Sequence, residues 1–505
     1  MPSRFAISAL LVLGAGPLAA CSQGGTLADT QGASLCEAIV NNEEAGLAGA
    51  EAQWVKAEAE TELPAFCEVS ATLSPVEGSA IGVVYRLPET WNGRMLGLGG
   101  GGWAGDVTIE SAVRGLKAGY ATAQTDGGNT GTGVFENQWV SDDPVKAEDF
   151  SYRAIHEMTV AGKQLVGAYY GRGHERAYFQ GCSTGGRMAL MEAQRFPADY
   201  DAIISMAPVY TLQVQSSSVM RNNLFAGEAA LGEASAKLAS DAVLSACDAA
   251  DGIEDGVIAD PRSCNWDPGE LACPAGGAGE GETCLTRPQV AALRTAYRGV
   301  RAADGSWAQL PLSRGGEAGW AAFIATDGSG KEFSNGGGTP GIAPLLWGED
   351  QPDLAQLSPR DVMRGRDSEF AAMYEADDPD LSAFFGRGGK LLLWHGESDP
   401  GPSPVGTIDY AERVAKAVPE LAGDSMRLFL APGVGHCAGG PGADQVDTLA
   451  ALDQWLASGT APDRLIATRL DGSMTRPLCA WPQVARYRGE GDANAPASYE
   501  CVARD

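Results

Sequence analysis

Residues 176–203 read "RAYFQGCSTGGRMALMEAQRFPADYDAI". The opening "RAYFQGCSTGG" reads as a strand that runs into a tight turn, and "GRMALMEAQRFPADY" reads as the helix that follows. At the turn, Gly181-Cys182-Ser183-Thr184-Gly185 fits the pattern G-x-S-x-G. Small residues flank the serine because such a turn is strained, and its hydroxyl is left exposed at the start of a helix. Glycine and serine are common, so the bare pattern also describes a glycine-rich loop with no chemistry. The strand, turn and helix around it favour a nucleophile.

Outward from this point the same alternation recurs. "CEVSATLSP", "AIGVVYRLP" and "GRMLGLGG" read as short strands, and "RAIHEMTVAGKQLVGAYYG" has helical apolar spacing. "DAIISMAPV" is the next strand. Residues 209–385 break the rhythm with a Gly-, Ala- and Asp-rich stretch that carries four cysteines. The alternation returns in "GGKLLLWHGESDP" and "MRLFLAPGVGH", and "VDTLAALDQWLASG" closes it as an amphipathic helix. The predicted fold class is α/β: an α/β-hydrolase sheet domain built from residues 36–208 and 386–505, with a large lid domain inserted at 209–385. An insertion at that place sits over the carboxyl ends of the strands.

A serine nucleophile needs a base, and the chain has only four histidines. His156 and His174 precede Ser183, against the order serine, acid, histidine expected for this fold. His395 ends a strand beside the acid loop and reads as a structural neighbour. His436, in "GVGHCAGG" after the last strand, is the candidate base, with a loop histidine of no role as the alternative. Asp399, in "LLLWHGESDPGPSP", is the candidate acid, with Glu397 as its competitor. The oxyanion hole requires backbone N–H groups, one from Thr184 and one from the run Gly99–Gly102, with Gly101 or Gly102 as the donor. A phosphate cradle is the rival reading of that run, but the Lys and Ser/Thr of a P-loop are missing.

The chain has 505 residues, 44% hydrophobic and 20% charged, which is the composition of a globular protein. Its net charge of −29 argues against a nucleic-acid partner. "MPSRFAISALLVLGAGPLAAC" reads as an export signal (residues 1–21), and its end "LAAC" resembles a bacterial lipobox that would lipidate Cys21. A plain signal peptide is the alternative. Residues 22–35 read as a tether. The expected location is outside the cytoplasm, on the outer membrane or cell surface, otherwise periplasmic or secreted, with membrane contact only through the lipid. There are eleven cysteines. With Cys21 set aside, ten remain, and proximity in sequence pairs Cys36–Cys67, Cys247–Cys264, Cys273–Cys284 and Cys479–Cys501. Cys182 and Cys437 are left over. They adjoin Ser183 and His436, so a hydrogen bond between serine and histidine would bring them close enough to bridge.

A second candidate site is "CDAADGIEDGVIADPRSC", residues 247–264. Asp248, Asp251 and Asp255, with the backbone carbonyls of Ile253 and Val257, offer oxygen-only ligands suited to Ca²⁺, though the spacing is not that of an EF-hand. An acidic solvated turn is equally compatible.

Cys182-Ser183 together with His436-Cys437 resembles the tannase and feruloyl esterase family. The stretches "HGESDP" and "RPLCAWPQVARYRGEGDANAPASYEC" add to the likeness, which runs from about Cys36 to Cys501. The resemblance implies an α/β-hydrolase with a large lid that cleaves esters of aromatic carboxylic acids. It also implies that residues 247–264 are a structural calcium loop in the lid. The expected activity is serine carboxylesterase action on hydroxycinnamic-type esters such as feruloyl esters. The alternatives are galloyl esters, a mono(2-hydroxyethyl) terephthalate ester, and a non-enzymatic ligand-binding lipoprotein on a hydrolase scaffold. Trp320, Phe323, Phe333 and Trp347 are candidates for the wall of an aromatic pocket, or simply core.

Overall fold

The computed structural model describes residues 24–41, 47, 49–129, 133–274, 283–326 and 336–504. The export signal with Cys21, and Phe333, lie outside the described residues. Nine strands form one sheet: β1 (Glu51–Val55), β2 (Phe66–Leu73), β3 (Ile81–Pro88), β4 (Arg94–Leu98), β5 (Ala121–Thr125), β6 (Arg176–Cys182), β7 (Ala202–Met206), β8 (Lys390–Gly396) and β9 (Met426–Ala431). Their order is β1-β2-β3-β5-β4-β6-β7-β8-β9. β1, β2, β3 and β5 pair antiparallel, and every pairing from β5 onward is parallel.

The parallel strands are continuous apolar runs because helices cover both faces. All of β5 is buried, as are residues 391–396 of β8. One face packs the helices Ala154–Tyr170, Thr184–Arg195 and Pro404–Ala417 into a core that includes Met158, Leu190 and Tyr410. The other packs Ile109–Lys117 and Thr448–Ser458, with Leu116, Leu452 and Trp455 fully buried.

Two boundaries differ from the expectation. Residues 24–39 are helical rather than a tether. Gly32, Cys36 and Ile39 share one face of that helix and are buried. Gly32 lies so close to the Trp54 indole of β1 that a Cβ there would be 2.4 Å from it, and Cys36 is bonded to Cys67 of β2. The inserted stretch is also not one body. Residues between Phe225 and Ile324 build their own small core. The helices from Thr339 to Gly386 instead place Ile342, Val362, Phe370 and Phe385 in the core of the sheet domain. Their apolar side chains match the sheet-covering helices in kind, so they join that core rather than the lid.

Among the described residues five disulfides are present: Cys36–Cys67, Cys182–Cys437, Cys247–Cys264, Cys273–Cys284 and Cys479–Cys501. The second closes a sequence separation of 255 residues. Replacing both its cysteines by alanine is expected to destabilise the chain by about 5 kcal/mol through the freed chain entropy. The check is the denaturant midpoint of the double variant; a midpoint equal to wild type would contradict the expectation.

Candidate active site

β6 ends at Cys182, and the chain turns at Ser183 into the helix Thr184–Arg195. Ser183 has φ 62° and ψ −123°, a left-handed conformation that costs a non-glycine residue energy. The turn is pinned on both sides: Ser183 N–H donates to Met206 O at 3.0 Å, and Ser183 O accepts from Val209 N–H at 3.1 Å. Its glycines are required by close approach. A Cβ on Gly181 would lie 2.4 Å from Gly185 backbone, and one on Gly185 would lie 2.7 Å from Gly100 O.

Ser183 and His436 line one cavity of about 80 Å³ between the sheet and the inserted stretch. The cavity is walled by Trp103, Phe135, Val209, Val214 and Phe323 among others, with Gln215, Ser218 and Arg221 as polar members. His436 Nδ1 donates to Asp399 Oδ2 at 2.7 Å. Cys437, the next residue, is bonded to Cys182 with a Cα–Cα distance of 5.9 Å and itself has φ 64°. The bridge ties the serine turn to the histidine loop.

Asp399 is 1% exposed. Burial pushes its pKa up, but the His436 and His395 imidazoles beside it more than offset this and hold it at about 2. Its other oxygen accepts from Gly401 N–H at 2.8 Å. Glu397 is turned elsewhere. It accepts two hydrogen bonds from Arg262 at 2.6 and 2.7 Å, and its pKa is lowered because the Arg262 guanidinium outweighs its burial.

Three sets of contacts around the site have no signal in the sequence, which gives His395 only as a neighbour of the acid loop. His395 is fully buried, and its Nε2 faces both Asp399 Oδ2 at 3.1 Å and Pro402 O at 3.0 Å. With two acceptors there, Nε2 carries the proton and Nδ1 accepts from the Thr407 hydroxyl at 2.8 Å. Asp399 therefore receives a donor from each of two histidines. Arg221, on the helix Leu212–Leu224, donates to Pro400 O at 2.9 Å and Gly401 O at 2.6 Å and so holds the acid loop from the inserted stretch. Trp103 stacks on Phe150 and Tyr374 behind the cavity. A run of such contacts between distant segments has no local sequence signal. His156 pairs with Asp199 at 2.6 Å, and neither it nor His174 lines the cavity.

Thr184 and Gly102 also line the cavity, whereas Gly101 does not. The Thr184 hydroxyl donates to Gly102 O at 2.5 Å, and Gly102 has φ 60°. Of the aromatic candidates, Phe323 meets His436 edge to face at 4.8 Å. Trp320 is in the small lid core, and Trp347 is buried with its indole N–H on Asp361 O.

In the acidic loop, Asp248 accepts from Gly256 N–H at 2.8 Å, Asp251 from Ile253 N–H at 3.1 Å and Asp255 from Val257 N–H at 3.1 Å. Asp255 also pairs with Arg476 at 2.5 Å. Burial, with Asp255 and Asp248 nearby, pushes Asp251 up to about 7. The donors are oxygens and suit calcium in kind. Among the described residues, however, no three acidic, histidine or cysteine side chains gather as a ready metal-holding group.

The sheet order, the turn at Ser183 and the loops at the strand ends define an α/β-hydrolase. The chain belongs to the tannase and feruloyl esterase family, whose model matches residues 67–329 and 352–502. It is 32% identical to the mono(2-hydroxyethyl) terephthalate hydrolase of Piscinibacter sakaiensis, over 87% of this chain and 85% of that one. It is 34% identical to a probable feruloyl esterase of Arthroderma benhamiae, over 86% of each. The crystal structure of feruloyl esterase B from Aspergillus oryzae superimposes with a TM-score of 0.82 at 26% identity, covering 93% of this chain and all of that one. The chain is a carboxylic ester hydrolase.

Proposed function

We propose that the chain hydrolyses esters of aromatic acids of the hydroxycinnamic type, such as feruloyl esters, through Ser183, His436 and Asp399. The observation that carries this reading is the 2.7 Å hydrogen bond from His436 to a buried, ionised Asp399, with Ser183 and His436 facing one aromatic-walled cavity. Ser183 Oγ attacks the ester carbonyl while His436 takes its proton. Asp399 fixes the imidazole tautomer and stabilises the imidazolium. The backbone N–H groups of Thr184 and Gly102 hold the oxyanion. His436 returns the proton to the leaving alcohol, and water then releases the acid from the acyl-enzyme. The relatives named as feruloyl esterases favour the feruloyl group. The relative named as a mono(2-hydroxyethyl) terephthalate hydrolase favours that ester as a second reading. A galloyl ester is the third, after the family's name.

The test is the hydrolysis rate on methyl ferulate, methyl gallate and mono(2-hydroxyethyl) terephthalate, with Ser183→Ala as blank. The highest kcat/KM is expected on methyl ferulate. Turnover of none of the three would overturn the substrate class and favour a ligand-binding protein.

Export, with or without lipid at Cys21, is part of the same proposal. Five disulfides support it, since they persist in oxidising compartments. Among the described residues no helix is long and apolar enough to cross a membrane. Calcium is proposed for the 247–264 loop, held by Asp248, Asp251 and Asp255 and the carbonyls of Ile253 and Val257. Bound there, it would supply charge neutralisation and a cross-link of the loop, away from the chemistry. Chelation is expected to lower Tm by several degrees, with calcium restoring it. A Tm indifferent to chelator would refute the site.

A further inference from the structure

The acid loop reads Asp399-Pro400-Gly401-Pro402. Its two prolines have no N–H, so the loop depends on donors brought to its carbonyls. Side chains meet all three carbonyls after Asp399. Arg221 Nη1 donates to Pro400 O at 2.9 Å and to Gly401 O at 2.6 Å, and His395 Nε2 donates to Pro402 O at 3.0 Å. The Pro400–Gly401 peptide is therefore gripped by Arg221 at its oxygen, while its N–H donates to Asp399 Oδ1 at 2.8 Å. Because that peptide is planar, holding one edge sets the direction of the other.

Arg221 reaches the loop from the inserted stretch. On the helix Leu212–Leu224, Val214, Gln215, Ser218 and Arg221 share the face that lines the Ser183 cavity. Arg221 is 3% exposed, and its Nη2 donates to the Ser218 hydroxyl at 2.7 Å. Burial pushes the guanidinium down to about 10, and the Asp399 carboxylate opposes that. The planar fork offers donors in fixed directions, whereas a lysine ammonium is a point charge on a flexible stem.

We infer that Arg221 is a positioning residue for the proposed hydrolysis, acting through Asp399 and resting on the roles given above to Asp399 and His436: it aims the carboxylate and sets a fixed positive charge beside the pair. Three groups face Asp399: His436 from the last loop, His395 from β8 and Arg221 from the inserted helix. Glu397 nearby is paired with Arg262 and Arg504. A proton on His436 then sits near a charge already present, so Arg221 disfavours the resting imidazolium and extends activity toward low pH. The same charge opposes the imidazolium formed in the reaction. Orientation outweighs that effect, since a misplacement of 1 Å costs about 10²-fold.

The experiment compares wild type, Arg221→Ala and Ser183→Ala on the ester that the three-ester comparison selects. Arg221→Ala is expected to lower kcat about 30-fold with KM within about threefold. The acid limb of its kcat/KM profile is expected about half a unit higher. Truncation opens a space continuous with the cavity, so guanidinium chloride at about 50 mM, far below denaturing concentrations, is expected to recover at least about fivefold in kcat. Sodium chloride at equal ionic strength is expected to recover none. Should Arg221→Ala not fold, Arg221→Lys keeps the charge and gives up the fork. It is expected to retain the wild-type acid limb while kcat falls about tenfold, and a wild-type kcat in it overturns the role.

A kcat within threefold of wild type in Arg221→Ala overturns the role. A loss seen mainly in KM also does so, because Arg221 would then contact substrate. So does a lowered kcat with an unmoved acid limb and no response to guanidinium, which would leave packing alone. Activity retained in Ser183→Ala overturns the underlying triad instead. Ser183→Ala inactive with Arg221→Ala unchanged overturns the role of Arg221 alone.

Discussion

Ser183→Ala is expected to lower kcat on the preferred ester by about 10⁵–10⁶-fold while leaving the melting temperature at or above that of wild type. On the proposed mechanism the loss is large, because the nucleophile and its base act as a unit and removing either forfeits the acyl-enzyme route. The stability expectation follows from the backbone. Ser183 is held at φ 62° by two main-chain hydrogen bonds, its N–H donating to Met206 O and its carbonyl accepting from Val209 N–H, and no side-chain hydrogen bond of Ser183 caps the helix that follows. Alanine keeps those bonds and removes only the hydroxyl. The checks are active-site-titrated kinetics beside a thermal melt. Activity within tenfold of wild type would refute the nucleophile, and a collapsed melt would show that the hydroxyl has a structural part.

Asp399→Asn is expected to lower kcat by about 10⁴-fold. Asp399 Oδ2 accepts from both His436 Nδ1 and His395 Nε2, so an acceptor is required on that side. An asparagine amide satisfies only one orientation. With its oxygen toward the histidines it lacks the charge that stabilises the imidazolium. With its nitrogen there it confronts two N–H donors and drives His436 into the wrong tautomer. Glu397→Gln is the informative contrast. Glu397 is bound to Arg262 and lies within 3.4 Å of Arg504, so that change is expected to cost stability and leave kcat within about tenfold. Equal kcat losses in the two variants would contradict the assignment of the acid.

The asymmetry between these two carboxylates shows where sequence reasoning stops. Both stand in "HGESDP", two positions apart. Their different fates depend on Arg262, Arg504, His395 and His436, none of which except His395 is near them in the chain. The same holds for Arg221, whose contact with Pro400 and Gly401 joins segments 179 and 180 residues apart. It holds as well for the inserted stretch, which reads as one block in composition yet divides between two cores. The helix Gly24–Ile39 reads as a linker because Gly24, Gly25, Gly32 and Ser34 are poor helix formers. Gly32 is small because the Trp54 indole needs the room.

The sequence by itself determined what local chemistry can specify. It placed strand, turn and helix around Ser183, put forward Ser183, His436 and Asp399 as candidates with Glu397 as the competing acid, and pointed to the five cysteine pairs. These depend on residue type and short spacing: glycines where the backbone is strained, apolar runs where a strand is covered on both faces, thiols beside groups that must meet. Only the tertiary structure decided which carboxylate reaches the histidine and which of the three described aromatic candidates, Phe323, reaches the cavity. It alone also revealed the grip of Arg221 on the acid loop. Those outcomes are set by packing between segments distant in the chain, 37 residues apart for Asp399 and His436 and 135 for Glu397 and Arg262, where the deciding quantity is distance in space, which the order of residues does not encode locally.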